Sequence, residues 1–261
     1  MTQLWLPVIA LWRREMVRFV RQRSRVTGAF AQPLVFWLLL GGGLNASFRP
    51  AAATGVNYVE YFYPGTITLV LLFTAIFATI STVEDRREGF LQGVLVAPVP
   101  RWAIVLGQAL GGTSLAVLQG ILFLLLAPLL GISLSLLSVA AMIVVMLVVA
   151  LSLTSLGLII AWRMESTQGF HAIMNLILLP IWLLSGAFFP ASGAPAPLSW
   201  LMTVNPLTYG MAAMRRCLYL SNPAAAGPVP ALLPSLLISL VFCAVAFAAA
   251  VRTASRSGAV R

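Results

Sequence analysis

The sequence has 261 residues, of which 61% are hydrophobic and only 8% charged, and its net charge is +10 with arginine as the only strongly basic residue type. Water-soluble domains usually carry about 25% charged residues, so this composition excludes an ordinary soluble enzyme and indicates a protein that is solvated largely by lipid. The basic charge does not favour nucleic-acid binding, because the arginines fall outside the apolar segments and mostly on one side of them.

The first 27 residues predict an amphipathic helix that lies in the membrane interface. Apolar residues recur on one face at helical spacing, and arginines are spaced to face the opposite way. The apolar stripe comprises Trp5, Val8, Ile9, Trp12, Met16 and Phe19, and the arginines are Arg14, Arg18, Arg21 and Arg25. We expect the stripe to lie in the acyl boundary, with the arginines turned towards lipid headgroups or a cytoplasmic partner.

Six apolar segments are long enough to cross a bilayer, which takes about 20 residues as a helix. They cover residues 28–46, 63–83, 102–130, 134–162, 170–189 and 232–251. The predicted fold class is therefore an all-α integral membrane protein, with one transmembrane domain over residues 1–261. Because cytoplasmic loops are enriched in arginine, the uneven distribution of arginines predicts a multi-pass protein of the cell (inner) membrane with both termini cytoplasmic.

Two connections between these spans have a distinctive composition. Residues 84–101 form a predicted cytoplasmic loop that holds half of the six acidic residues. Residues 190–230 form a predicted external segment that is rich in Pro, Ala and Gly, with a short helix expected over residues 206–220.

Several kinds of chemistry are disfavoured by residues that the chain lacks. P-loop ATPases use a lysine to reach the phosphates, and this sequence has none, so ATP and Mg²⁺ are expected on a separate subunit and no cofactor on this chain. Cys217 and Cys243 show no metal-ligand spacing, and no metal site is expected. A stand-alone ion-driven transporter is one alternative, which would depend on His171 or Glu165. An intramembrane hydrolase is another, and it would need His171 as its base.

Two stretches carry a resemblance to a known family. Residues 83–102, VEDRREGFLQGVLVAPVPRW, resemble the cytoplasmic loop of type-2 ABC exporter permeases, where a charged cluster ending in Glu-Gly precedes a short helix and a proline turn. A second match runs through SGAFFP at residues 185–190, NPLTYG at residues 205–210 and Met214-Arg215. One departure is Phe90, which follows the Glu-Gly pair where the family often has threonine.

The resemblance implies a division of labour between subunits. Two permease chains, expected to be identical, would form the pathway in the bilayer, and two copies of an ABC ATPase subunit would supply the energy. The loop helix around residues 87–96 would be the coupling helix that docks on the ATPase, by charge and by an apolar anchor. The implied docking residues are Glu84, Asp85, Arg87, Glu88, Gly89, Phe90, Leu91 and Leu95.

The resemblance also implies a pathway lined by the second and fifth spans. The residues expected on its walls are Phe73, Phe77, Asn175, Leu179 and Trp182, although ordinary helix packing would explain the aromatic residues equally well. A mostly apolar wall suits an amphipathic or lipid-like substrate such as a drug, a lipid or a lipid-linked saccharide. The external signature, expected near an outer gate, comprises Gly186, Pro190, Asn205, Pro206 and Tyr209.

Overall fold

The computed structural model describes residues 2–44 and 57–257. Within these residues all regular structure is helical, and six helices are long and apolar enough to cross a membrane, which confirms the predicted fold class. The end of the first predicted span, at residues 45–46, lies outside the described residues. In chain order the α-helices are α1 (Thr2–Arg21), α2 (Arg23–Leu44), α3 (Tyr58–Arg87), α4 (Phe90–Val96), α5 (Arg101–Leu124), α6 (Leu136–Ala161), α7 (Thr167–Trp182), α8 (Ala196–Val204), α9 (Pro206–Leu218) and α10 (Leu232–Ser257).

The candidate spans are α2, α3, α5, α6, α10 and α7, the last of these continued by a π-helical turn over Leu183–Ala187. The residues at which these helices begin and end are set by capping side chains and prolines more than by hydropathy. Helix α3 begins five residues before its predicted start, because the side chain of Asn57 accepts a hydrogen bond from the Glu60 amide and caps the first turn. Helix α5 ends at Leu124, earlier than predicted, because Pro128 cannot donate the next helical hydrogen bond and a 3-10 turn follows.

Helix α3 is the centre of the bundle. It packs against α2, α5 and α6, and 94% of its most apolar stretch of 18 residues is buried. The hydroxyls of Thr66, Thr68 and Thr79 donate to carbonyls of their own helix, and the Thr74 hydroxyl lies 2.6 Å from the Gln119 side-chain oxygen of α5. A Cβ on Gly157 of α6 would lie only 2.6 Å from the Thr79 hydroxyl, so the absence of a side chain there sets the close approach of α6 to α3.

The segment predicted to be external folds back among the spans. Helix α9, predicted over residues 206–220, covers Pro206–Leu218 and is buried along most of its length between α10, α6 and α3. Gly210 approaches Val149, which lies roughly 20 Å along α6 from its start at 1.5 Å per residue. The preceding helix α8 was not predicted. Part of the segment 190–230 therefore lies packed among the spans.

Candidate functional site

Two arginines of α1 are joined to two carboxylates at the end of α3. Arg14 binds Asp85 with both terminal nitrogens, each at 2.6 Å, and Arg18 reaches Asp85 at 2.5 Å and Glu84 at 2.8 Å. Asp85 is only 1% exposed. Paired, charge-assisted hydrogen bonds of this kind fix the orientation of both partners. The four side chains therefore form a charge cluster that fastens α1 to the C-terminal end of the central helix.

This charge cluster bears on two expectations from the sequence. Arg14 and Arg18 use their guanidinium groups inside the chain and stay 30% and 19% exposed, so their predicted contact with headgroups or a partner stays a prediction. Asp85 is buried within the cluster, and its predicted contact with the ATPase also stays a prediction. Arg21 is exposed, as a surface-facing arginine should be, and the side chain of Arg25 lies outside the described part of the chain.

Helix α1 packs on the protein instead of lying free in the interface. Cβ atoms on Gly107 and Gly111 of α5 would lie 2.8 Å and 2.6 Å from the Cβ atoms of Leu11 and Glu15. The predicted apolar stripe is thus divided. Its buried members, Val8 and Phe19, face the bundle, whereas Trp5, Ile9 and Trp12 are exposed.

Glu15 is a member of this site that sequence reasoning missed. Its carboxylate is buried, accepts a hydrogen bond from Ser81 at 2.6 Å and lies 3.3 Å from Arg14. Burial raises the pKa of Glu15 above its ordinary value, although the Ser81 hydrogen bond and the neighbouring arginines oppose that rise. The signal in the sequence is the single acidic residue within an otherwise basic amphipathic helix.

The predicted loop helix exists as α4, over Phe90–Val96. It starts after Gly89, whose left-handed backbone (φ 79°) separates it from α3. Leu91 is buried within the chain, so it anchors α4 to the bundle, and its predicted role as a docking contact stays a prediction. The opposite face is open: Phe90 is exposed beneath the Arg14 guanidinium, 3.8 Å from the ring centroid, and Val96 is 87% exposed.

A cleft of about 430 Å³ lies behind α4. It is lined by Arg86, Arg87, Leu91, Gln92, Leu95, Trp162, Met164 and Glu165. Arg86 donates to the Trp162 carbonyl and to the Met164 carbonyl, and so caps the end of α6 with a positive charge. Arg87 and Glu88 are exposed, and Leu95 is half-buried. The cleft is thus lined by the end of α3, by α4 and by the connection between α6 and α7.

The five predicted pathway residues do not share one face of the chain. Trp182 is buried and donates to the Gly65 carbonyl at 2.9 Å, which fixes α7 to α3, and Phe73 is also buried. Phe77 and Leu179 are half-buried, whereas Asn175 is exposed on α7. Their role in a pathway stays a prediction, and only Asn175 presents a polar group on the outside of the single chain.

The external signature forms a hydrogen-bonded joint between the end of α7 and the start of α9. Gly186 has a left-handed backbone (φ 80°) and its carbonyl accepts from Tyr61 at 3.0 Å. Asn205 donates to the Ile181 carbonyl at 2.6 Å and caps α9 through the Leu207 amide. The Tyr209 hydroxyl donates to the Thr203 carbonyl at 3.0 Å.

The two prolines of the signature act through the backbone. Pro206 occupies the first turn of α9, where a missing amide is harmless, and Pro190 is extended and lines an outer cavity. Among the described residues, no group of three or more His, Cys, Asp or Glu side chains is placed to hold a metal.

The sequence profile described as "ABC-2 type transporter" matches residues 7–219. The chain is 26% identical to the putative transport permease ycf38 of Cyanophora paradoxa, over 80% of this chain and 72% of that protein. It is 27% identical to nodulation protein J of Rhizobium leguminosarum bv. trifolii, over 79% of each chain. It is 22% identical to the inner membrane transport permease YadH of Escherichia coli K12, over 81% of this chain and 82% of that protein.

Proposed function

This chain belongs to the ABC-2 type transporter family and is a membrane permease subunit of an ABC transporter, and from that premise we propose that it is an export permease for an amphipathic or lipid-like substrate. Two copies of the chain form the pathway in the cell (inner) membrane, with all termini cytoplasmic. Two copies of a separate ABC ATPase subunit bind ATP and Mg²⁺ and drive the cycle.

One observation carries this proposal: α4 is buried on one face and open on the other. Its buried Leu91 belongs to an apolar cluster that includes Leu11 of α1, Ile104 of α5 and Leu158 of α6. Because packed interiors deform little, a push on α4 is transmitted to these helices together. An energy-coupling contact requires a short helix that moves together with the helices on which it packs.

The open face of α4 supports a protein partner. Phe90 and Val96 are exposed although they are apolar, and Arg87 and Glu88 are exposed beside them. An apolar anchor ringed by charges is typical of an interface centre, where aromatic residues contribute binding energy and charges select the partner. In the proposed complex this surface binds a groove of the ATPase.

The outer surface of α7 supports a substrate with both polar and apolar parts. Asn175 is exposed next to Leu176 and Ile177, which are also exposed. A single amide among aliphatic side chains would form hydrogen bonds to a headgroup or saccharide while the aliphatic residues contact an apolar tail. In the proposed dimer this surface faces the second chain across the pathway.

The first test is purification of the tagged chain from its native membrane in a mild detergent, followed by mass spectrometry of the bound proteins. We expect a near-stoichiometric ATPase that contains a Walker lysine. Val96→Asp should strongly reduce its recovery, because the substitution places a charge in the apolar anchor. Val204→Asp is a matched control, since Val204 is an exposed valine at the end of α8 on the opposite side.

Equal recovery of the ATPase with both variants would contradict docking through α4. A chain that purifies alone and moves solute in response to an imposed proton gradient would overturn the export proposal and support an ion-driven transporter.

A further inference from the structure

A buried arginine lines a small cavity near the outer end of the bundle. Arg215, on α9, is 4% exposed and lines a cavity of about 70 Å³. Its guanidinium lies over the ring of Tyr61, with 4.0 Å from the central carbon to the ring centroid. One terminal nitrogen donates to the Tyr61 carbonyl at 3.1 Å and is 3.5 Å from the Gly186 carbonyl. These contacts hold the charged group at the cavity wall.

The positive charge of Arg215 lacks a matching negative charge. Among the described residues no carboxylate lies within 4.0 Å of its guanidinium, and its Nε is buried without a hydrogen-bond acceptor. Glu60, at the start of α3, is engaged instead with the Asn57 amide at 2.8 Å. Arginine stays protonated in proteins, so the charge cannot be removed by titration. A buried, unpaired cation is costly unless an anion or a set of acceptors completes its coordination.

The cavity has the size and the lining for one small polar group. Its volume of about 70 Å³ exceeds the roughly 10–15 Å³ that one water needs. Thr208 and Ser185 line it beside Arg215, and Met202 and Met211 provide an apolar wall. The outer rim is residues 225–230, which Arg216 holds by donating to the Val229 carbonyl at 2.6 Å and the Pro230 carbonyl at 3.0 Å.

We propose that this cavity is a binding site for an oxyanion, a phosphate or carboxylate group, with Arg215 as its principal ligand. The guanidinium of Arg215 donates to the oxyanion, whereas the Thr208 hydroxyl in the same lining already donates to the Met202 carbonyl at 2.6 Å and is not counted as a donor. The methionine wall accommodates the first carbons of an attached chain. The inference concerns the outer end of the chain alone and does not depend on the direction of transport or on the ATPase.

A purely structural role for Arg215 makes a different prediction. In that case the guanidinium only caps the carbonyls of Tyr61 and Gly186, and its loss lowers thermal stability by the same amount with and without an added anion. A binding site instead gives a saturable, anion-dependent stabilisation that requires Arg215, since a ligand that binds only the folded state raises its melting temperature.

The test measures the melting temperature of the purified chain in dodecyl maltoside as a function of ligand concentration, at constant ionic strength. The probes are inorganic phosphate and dodecyl phosphate, with extra dodecyl maltoside as the uncharged control amphiphile. We expect a saturable rise for wild type with dodecyl phosphate, and an affinity at least about tenfold weaker in Arg215→Gln. Arg252→Gln, which removes an exposed arginine from α10, should respond as wild type does.

A rise with inorganic phosphate as well would identify a free anion as a sufficient ligand, whereas a rise with dodecyl phosphate alone would identify the headgroup of an amphiphile. If Arg215→Gln does not fold, Ala225→Phe narrows the rim while keeping the arginine, and it should abolish the response. The proposal is overturned if wild type shows no saturable response to either probe, or if the response survives in the variants that alter the cavity.

Discussion

Removing the Asp85 carboxylate should loosen the N-terminal helix from the bundle. Asp85 accepts three hydrogen bonds at 2.5–2.6 Å from Arg14 and Arg18, and each charge-assisted bond contributes about 1.5–3 kcal/mol. The arginine side chains remain 30% and 19% exposed, so water recovers part of this energy. We therefore expect Asp85→Ala to lower the free energy of unfolding by roughly 3 kcal/mol, the lower end for breaking a buried ion pair.

A double-mutant cycle isolates this interaction from other effects of the substitution. Unfolding by sodium dodecyl sulfate in mixed micelles, followed by tryptophan fluorescence, gives the free energy for each variant. The coupling between Asp85→Ala and Arg14→Gln should be about 2 kcal/mol, and that between Asp85→Ala and Arg21→Gln below about 0.5 kcal/mol, because Arg21 is exposed. Equal coupling energies of Asp85 with Arg14 and with Arg21 would refute the conclusion that the charge cluster specifically attaches α1 to α3.

Three further predictions follow from other contacts. Because the pKa of Glu15 is raised in the folded chain, the folded state binds its proton more tightly, and the free energy of unfolding should fall as pH rises from about 4.5 through the raised pKa. Glu15→Gln should lack this fall when its free energy of unfolding is measured over the same pH range. The same pH dependence in wild type and Glu15→Gln would contradict the prediction. Gly157→Ala should lower the free energy of unfolding by roughly 1–3 kcal/mol, because the new Cβ would clash with Thr79. Gly42→Ala should leave the free energy of unfolding unchanged or raise it slightly in the same assay, because no atom lies near the new Cβ. Glu88→Arg should reduce ATPase binding in pull-downs while leaving the melting temperature unchanged, since Glu88 is exposed; normal binding and transport would count against the coupling assignment.

The spans were predictable because lipid imposes a simple rule on sequence. A helix must bury about 20 apolar residues to cross, and this requirement is visible in hydropathy without knowledge of any tertiary contact. The short helices α4 and α9 were also predicted, one from the resemblance and the other within the Pro-, Ala- and Gly-rich segment. Ends were less predictable, because a single cap at Asn57 or a proline at residue 128 moves a boundary by several residues.

The partners of the polar residues were not predictable from sequence. Arg14 and Asp85 are 71 residues apart, so their pairing depends on how α1 packs against the bundle. The small residues Gly107 and Gly111 allow that packing, but their pattern alone does not identify α1 as the helix they receive. The same reason explains Leu91: an apolar residue on a short amphipathic helix fits a partner surface or its own bundle equally well, and only the fold decides.

The short helix α9, packed among the spans, has a consequence for the biosynthesis of this protein. Its 13 residues extend about 20 Å, too short to cross a hydrocarbon layer of about 30 Å, and it carries Arg215 and Arg216. The insertion machinery therefore cannot integrate α9 as a span when it emerges. Because α9 packs between α6, which precedes it, and α10, which follows, it can settle only after α10 has been made. We expect the outer end of the bundle to close as a late, post-translational step, and truncation before α10 to leave α9 accessible to protease from the outside.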